Sequence, residues 1–353
     1  MESILQGSWA YCLYNLFTFG WKSYGGFKNN ISAHYDLGNE FFLSFLDEET
    51  HSYSSAIWKN PSDTLEVAQI NKVDMIIEMS KITKDDYVLD IGCGWGFFMT
   101  YAARKVGCRV LGITLSVEQK KEVDRKIMEH DLAEKCKVQI IDYRNLDENT
   151  YCFDKIVSVE MIEHVGNKNL GLFFKKCDRL LNKERGCVYI QSTTINDERY
   201  EKYTRENEFI REYIFPGVHC PSVSLLVGKA NNGSDGRLFL NEVRNHPMHY
   251  AKTLYLWRKK LNENFHKIEG HPCIAPEMIT DIEKARSRNN AQEQTSKLSD
   301  KSTYNGNLVY NKELLRKWNY YFAYCEAGFR TRNLSLTRMV FTRTDTDSID
   351  SEV

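Results

Sequence analysis

The chain has 353 residues, 42% hydrophobic and 12% aromatic, enough for one large domain or two modest ones. Its 47 Lys and Arg balance 48 Asp and Glu to a net charge of -1, which excludes a global electrostatic pull toward nucleic acid. Ten scattered cysteines form no CxxC pair and no HExxH is present, so the reading is a reducing compartment and no metal.

The start, Met1-Glu2-Ser3-Ile4, lacks the basic region of a secretory leader. No run reaches the roughly 18 apolar residues that span a bilayer. A cytoplasmic protein is expected, one that meets any lipid from the surface. Residues 1–30 carry Trp9, Tyr11, Tyr14, Phe17, Phe19, Trp21, Tyr24 and Phe27. They read either as a helical arm packed on the core or as an interfacial segment.

Ser62-Asp63-Thr64 opens a helix, with Asp63 and Glu66 in capping-box spacing. Leu65, Ile70, Val73, Ile76 and Ile77 suit its buried face. Strands then alternate with helices. Strands are expected over Tyr87–Ile91, Arg109–Thr114, Val138–Ile141, Lys155–Val159 and Val188–Ser192. Helices are expected over Phe97–Val106, after a Ser116 cap, and over Asn169–Leu181. Short buried strands between amphipathic helices predict a doubly wound, mostly parallel α/β sheet. The pattern breaks over 195–260, and 263–307 is polar and reads as a surface insertion. A helix over Leu314–Cys325 and a closing strand over Leu334–Thr342 follow, then an acidic tail. The expected units are an arm (1–60), a core (61–194), a substrate cap (195–262), the insertion (263–307), the end of the core (308–343) and the tail (344–353).

The turn Asp90-Ile91-Gly92-Cys93-Gly94-Trp95-Gly96 follows the first strand and precedes a helix, and glycine there lets backbone approach a ligand. A dinucleotide site would want glycine at Phe97 and an acid closing the second strand, which instead ends Gly112-Ile113-Thr114-Leu115. A methyl-donor site fits better. Asp90 can face the ammonium of S-adenosylmethionine, a cation without phosphate. Asp142, after the third strand, can accept from the adenine amino group, and Thr114, Ser116 and Gln119 lie by the ribose edge. Glu160 and Glu163 follow the fourth strand three residues apart, and one helical turn would put both on one face. His164 reads equally as a base or as structural.

Further segments narrow the reading. They are His34-Tyr35-Asp36-Leu37-Gly38-Asn39-Glu40-Phe41-Phe42, Tyr53-Ser54-Ser55-Ala56-Ile57-Trp58, Ser158-Val159-Glu160-Met161-Ile162-Glu163-His164-Val165-Gly166, Tyr213-Ile214-Phe215-Pro216-Gly217 and Tyr321-Phe322-Ala323-Tyr324-Cys325-Glu326-Ala327-Gly328-Phe329. With the glycine turn, the chain from about His34 to Arg343 resembles the cyclopropane-fatty-acyl-phospholipid synthase family, which includes mycolic acid cyclopropane synthases and fatty acid methyltransferases. The resemblance implies a seven-stranded class I methyltransferase sheet with an insertion after the fifth strand. It implies methyl transfer to a cis double bond of a phospholipid acyl chain, then loss of a proton to bicarbonate as bound base. The implied partner is an unsaturated membrane phospholipid, not nucleic acid, and a homodimer is left open.

By motif, Tyr53, Ser54, Asp90, Gly92, Gly94, Gly96, Thr114, Ser116, Gln119, Asp142, Tyr143 and Arg144 would hold the cofactor. Cys325 falls at the family's active-site cysteine, and Glu163 and Tyr250 fall at the bicarbonate site. The chain departs from the best-known members there. Ser55 replaces a cysteine, Gln191 a histidine and Thr193 an isoleucine, and Glu160 is an extra acid. A cyclopropane and a methyl- or methylene-branched chain both stay open as products. So do an amine N-methyltransferase of the same fold and a lipid- or cofactor-binding protein without catalysis.

Overall fold

The computed structural model describes residues 37–206, 208–215, 217–272, 303–304 and 307–343. The aromatic arm, the His34-Tyr35-Asp36 part of its motif, Pro216, most of the polar insertion and the tail lie outside the described residues.

Seven strands form one sheet: β1 (Tyr87–Ile91), β2 (Arg109–Thr114), β3 (Cys136–Ile140), β4 (Lys155–Val159), β5 (Cys187–Ile195), β6 (Leu238–Asn245) and β7 (Leu334–Arg343). Their order is β3-β2-β1-β4-β5-β7-β6. The first five run parallel, and β7 pairs antiparallel with both β5 and β6. This is the doubly wound, seven-stranded class I methyltransferase arrangement expected of the chain. The order reverses between β1 and β4, and the crevice outside strand ends at such a switch point is where open sheets bind ligands.

Nine helices are described: α1 (Gly38–Leu43), α2 (Leu65–Met79), α3 (Phe97–Lys105), α4 (Val117–Glu129), α5 (Leu170–Leu180), α6 (Asp197–Arg205), α7 (Val223–Gly233), α8 (Pro247–Asn264) and α9 (Lys312–Arg330). Two core clusters sandwich the sheet. One gathers Leu89, Leu111, Ile156, Phe173 and Phe341, and the other Val88, Met99, Val110, Val123 and Tyr189. A third cluster is aromatic and joins Phe41, Phe42 and Phe45 of α1 and its exit to Trp257 of α8 and to Trp318 and Phe322 of α9.

Several expectations need correction. Thr64 caps α2, accepting from Val67 N at 3.3 Å, while Asp63 accepts from the amides of Lys59 and Asn60 and ties the preceding turn. The buried face of α2 holds Ala68, Gln69, Lys72 and Met79 beside Leu65, Val73 and Ile76, whereas Ile70 and Ile77 are half-buried. The described residues of 195–260 form regular elements where the sequence shows no clear period. They contribute α6 and a single π-helical turn (Ile210–Ile214) above the site, then α7 and β6, which complete the sheet, and then α8. His249 and Tyr250 lie within the first turn of α8, which begins at Pro247, a position where proline loses no hydrogen bond.

Candidate active site

Two cavities open at the C-terminal ends of the parallel strands. The first, of about 200 Å3, is lined by Tyr53, Ser54, Asp90, Gly92, Gly94, Thr114, Ser116, Gln119, Asp142 and Tyr143. The second, of about 380 Å3, lies among Tyr250, Leu254, Tyr321, Cys325, Phe329, Ile210 and Phe215. Tyr53, Glu160 and His164 line both. A group passing from one cavity to the other must pass these three side chains.

The three glycines of the turn do different work. Each has a positive φ, which glycine adopts without steric cost. At Gly94 an added Cβ would meet nothing within 4 Å, so the backbone there is bare to the cavity. At Gly96 it would come within 2.7 Å of Val123 Cγ2. Gly96 is not among the cavity's lining residues; it lets α3 start flush against α4. Asp90 is 3% exposed, and its Oδ2 has no hydrogen-bond partner. Burial pushes its carboxyl up to about 7, with Lys72 acting the other way. An orphaned acid facing a bare glycine turn suits a cationic ligand.

Lys72 was not foreseen from the sequence, and it organises this wall. It is buried, donates to Ser52 Oγ at 2.5 Å and Ser54 Oγ at 2.8 Å, and is pushed down to about 8 by burial. Gln69, one turn earlier, donates to the carbonyls of Ser52 and Ser54. The 52–58 segment is pinned on its other side by α8, where His249 Nδ1 accepts from Trp58 N at 2.9 Å. The signal for Lys72 was legible: its spacing from Leu65, Ile76 and Met79 sets a cation within the apolar stripe of α2.

On the opposite wall, Thr114 Oγ1 donates to Gln119 Oε1 at 2.6 Å and accepts from Ser116 N, while Ser116 caps α4. Asp142 lines the cavity, and both its oxygens accept from the Arg144 side chain, which holds its carboxyl below the usual range against the cost of burial. Arg144 itself is not a lining residue, so it orients Asp142 instead of touching the cavity.

The acids after β4 do not share a helical face. Glu160 has φ 51°, a left-handed backbone that a residue with Cβ seldom adopts, and Glu163 sits in the following 3-10 turn. The Glu160 carboxylate accepts three hydrogen bonds. They come from Ser55 N at 2.9 Å, Gln191 Nε2 at 2.7 Å and Tyr250 OH at 2.7 Å. Burial and Glu160 together hold the Tyr250 phenol well above its usual range, so it remains a donor. Glu163 is buried, accepts from Thr193 N at 2.7 Å and leaves Oε2 without a partner. Burial and then Glu160 push it up to about 8.

The residues assigned by resemblance to a bicarbonate site are therefore together, but their donors are taken. Ser55, Gln191 and Tyr250 already serve Glu160, and the Thr193 amide serves Glu163. This donor set does not fit a free bicarbonate.

Cys325 lies on α9 between Tyr321 and Phe329, facing the second cavity. Burial raises its thiol well above the ordinary range, which keeps it protonated and a poor nucleophile. His164 is pushed down to about 4 by burial and packs against Phe215 at 5.7 Å, a neutral ring in the wall.

Comparison with known proteins shows the family of the chain. Residues 26–278 match the family described as mycolic acid cyclopropane synthetase. The chain is 37% identical over 240 residues to a probable fatty acid methyltransferase of Pseudomonas putida, covering 67% of this chain and 59% of that protein. It is 32% identical over 310 residues to the cyclopropane-fatty-acyl-phospholipid synthase of Escherichia coli K12, covering 88% of this chain and 66% of that protein. The chain thus spans about three fifths to two thirds of the length of these curated relatives. A solved structure of mycolic acid cyclopropane synthase CmaA1, complexed with SAH and CTAB, superposes with a TM-score of 0.70 at 26% identity, over 90% of this chain and 98% of that one.

Proposed function

Because the chain belongs to the mycolic acid cyclopropane synthetase family, we propose that it is an S-adenosylmethionine-dependent methyltransferase acting on the double bond of an unsaturated phospholipid acyl chain. One observation carries the reading: a cavity with an orphaned acid and a bare glycine turn meets an aromatic cavity at Tyr53, Glu160 and His164. When bound, the cofactor supplies an electrophilic methyl group.

The chain's own residues do the rest. Asp90 attracts the cationic end of the cofactor, the Lys72–Ser52–Ser54 contacts hold the loop that covers it, and Asp142 faces the adenine side. Tyr53, Tyr250, Tyr321 and Phe329 line the acyl side with aromatic rings, which tolerate positive charge developing on the chain. Cys325 shapes this wall as a neutral thiol. Water is excluded by the same packing, which protects a cationic carbon from hydration.

The protein meets its lipid from the membrane surface. Arg199 and Lys202 are exposed along the aromatic cavity together with Tyr324 and Glu206, and Lys202 pairs with Glu206 at 3.6 Å. Tyr213 and Tyr320 are exposed nearby and packed on Phe209. Exposed tyrosines beside charged side chains of both signs suit a headgroup boundary. Among the described residues no helix is long and apolar enough to cross a membrane.

The test is incubation with isotopically labelled S-adenosylmethionine and vesicles of unsaturated phospholipid, followed by mass spectrometry of the fatty acids. Label in the acyl chain is the expected result; a ring and a methylene branch both add CH2, and catalytic hydrogenation before mass spectrometry separates them, since only the branch keeps a double bond that takes up hydrogen readily. Label in small amines of a metabolite extract, with none in lipid, would instead favour amine methylation.

A further inference from the structure

Glu160 combines three features that a structural acid does not need. It adopts a left-handed backbone, which is disfavoured for a residue with a Cβ and persists where the surroundings enforce it. Its carboxylate gathers an amide N–H, an amide side chain and a phenol at 2.9, 2.7 and 2.7 Å, donors from three separate parts of the fold. It also stands at the junction of the two cavities, where a methylated acyl carbon would lie. Its backbone N–H is fixed as well, donating to Gln191 O at 2.7 Å. A loop, the middle of β5 and the first turn of α8 thus converge on one carboxylate in the seat where the family resemblance implies a bound anion.

We propose that Glu160 supplies, from the chain itself, the base that would otherwise be a bound bicarbonate, and that turnover is independent of bicarbonate. The inference rests on the methyl-transfer reading above. The step balances without a further reactant. The electron pair of the double bond takes up the sulfonium methyl, the S–C pair staying on sulfur in a neutral thioether that leaves, and the neighbouring acyl carbon becomes cationic. A C–H bond of the added methyl group then breaks and its pair closes a three-membered ring onto the cationic carbon, or a C–H bond on the carbon next to the cation breaks and its pair forms a new double bond; in either case the proton passes to a Glu160 oxygen. Tyr250 and Gln191 are positioning residues, since they act through the carboxylate they hold.

The experiment compares the wild type with Glu160→Gly, because glycine suits the left-handed backbone and empties the seat. Both are assayed on unsaturated vesicles in carbonate-free buffer and in millimolar bicarbonate. Binding of isotope-labelled bicarbonate is followed separately by its NMR line width. The wild type is expected to turn over equally in both buffers and to leave the bicarbonate signal sharp. Glu160→Gly is expected to lose at least about tenfold in rate without carbonate, a change of about 1.4 kcal/mol in barrier, to recover on its addition, and to broaden the signal. Wild-type turnover that rises with bicarbonate, or a wild-type protein that broadens the signal, overturns the proposal. So does a Glu160→Gly protein that binds cofactor normally yet neither binds the anion nor is rescued by it. If the wild type labels no lipid in either buffer, the methyl-transfer reading fails, and the line widths alone still decide whether Glu160 occupies the anion seat.

Discussion

Asp90 and Glu163 are both buried acids held above their ordinary range, Asp90 lining the first cavity and Glu163 the second. Asp90 is pushed up to about 7, so it loses charge as pH falls through neutrality. Lys72, pushed down to about 8, gains charge over the same interval and adds repulsion toward a cationic ligand. Affinity for S-adenosylmethionine is therefore expected to fall by up to about tenfold between pH 8 and pH 6, measured by calorimetry, and Asp90→Asn should flatten that dependence at a weakened affinity. For Glu163 the folded value of about 8 lies above the ordinary 4.5, so the folded protein holds an extra proton between the two. That contribution is complete below the ordinary value and drains away as pH rises through about 8. Glu163→Gln keeps an acceptor for Thr193 N, and its melting temperature should decline less than that of the wild type between about pH 5 and 9. A wild type whose melting temperature holds steady across that window would refute the assignment.

At the scale of elements, the 52–58 segment is held as a strap between α2 and α8. Gln69 is fully buried and serves two of its carbonyls. Gln69→Leu keeps the volume and removes both donors, so it should cost about 1–3 kcal/mol in chemical denaturation and weaken cofactor binding. Unchanged binding would mean the strap holds without it. The elements also show what could be read in advance. The strands around the glycine turn were legible because both faces of a parallel sheet are covered, which gives short continuous apolar runs. Strand β6 was not, because it is an edge strand whose residues alternate between half-buried and exposed after Leu238. Helix α8 was obscured by its charged and aromatic surface, although His246-Pro247 marks its start. The candidate site was legible wherever a side chain was named by a motif, including Cys325, Tyr250 and Gln191. Glu160 was read as an extra acid at the site, suited to a cationic transition state or an amine substrate. Its capture by Ser55, Gln191 and Tyr250 depends on a backbone conformation that residue identity does not announce.

For the whole molecule, the tyrosine-bearing mouth ties the proposed lipid chemistry to a surface. Tyr320 is 53% exposed and Tyr324 39%. Replacing both by Ser should reduce sedimentation with anionic vesicles several-fold while leaving S-adenosylmethionine affinity unchanged, because neither touches the cofactor cavity. Equal loss with a water-soluble acyl substrate would place the defect in the cavity wall instead of at the membrane.

The division of the core carries a last consequence. The cofactor cavity is built chiefly on the sheet, whereas Tyr250, Tyr321 and Phe329 belong to the aromatic cluster of α1, α8 and α9. Heating is expected to loosen these two bodies in sequence. Lipid methylation should then be extinguished at a temperature where the protein still retains its cofactor, a gap visible by following turnover and ligand fluorescence in the same thermal ramp. Coincident loss of both would mean that the helices and the sheet melt as one.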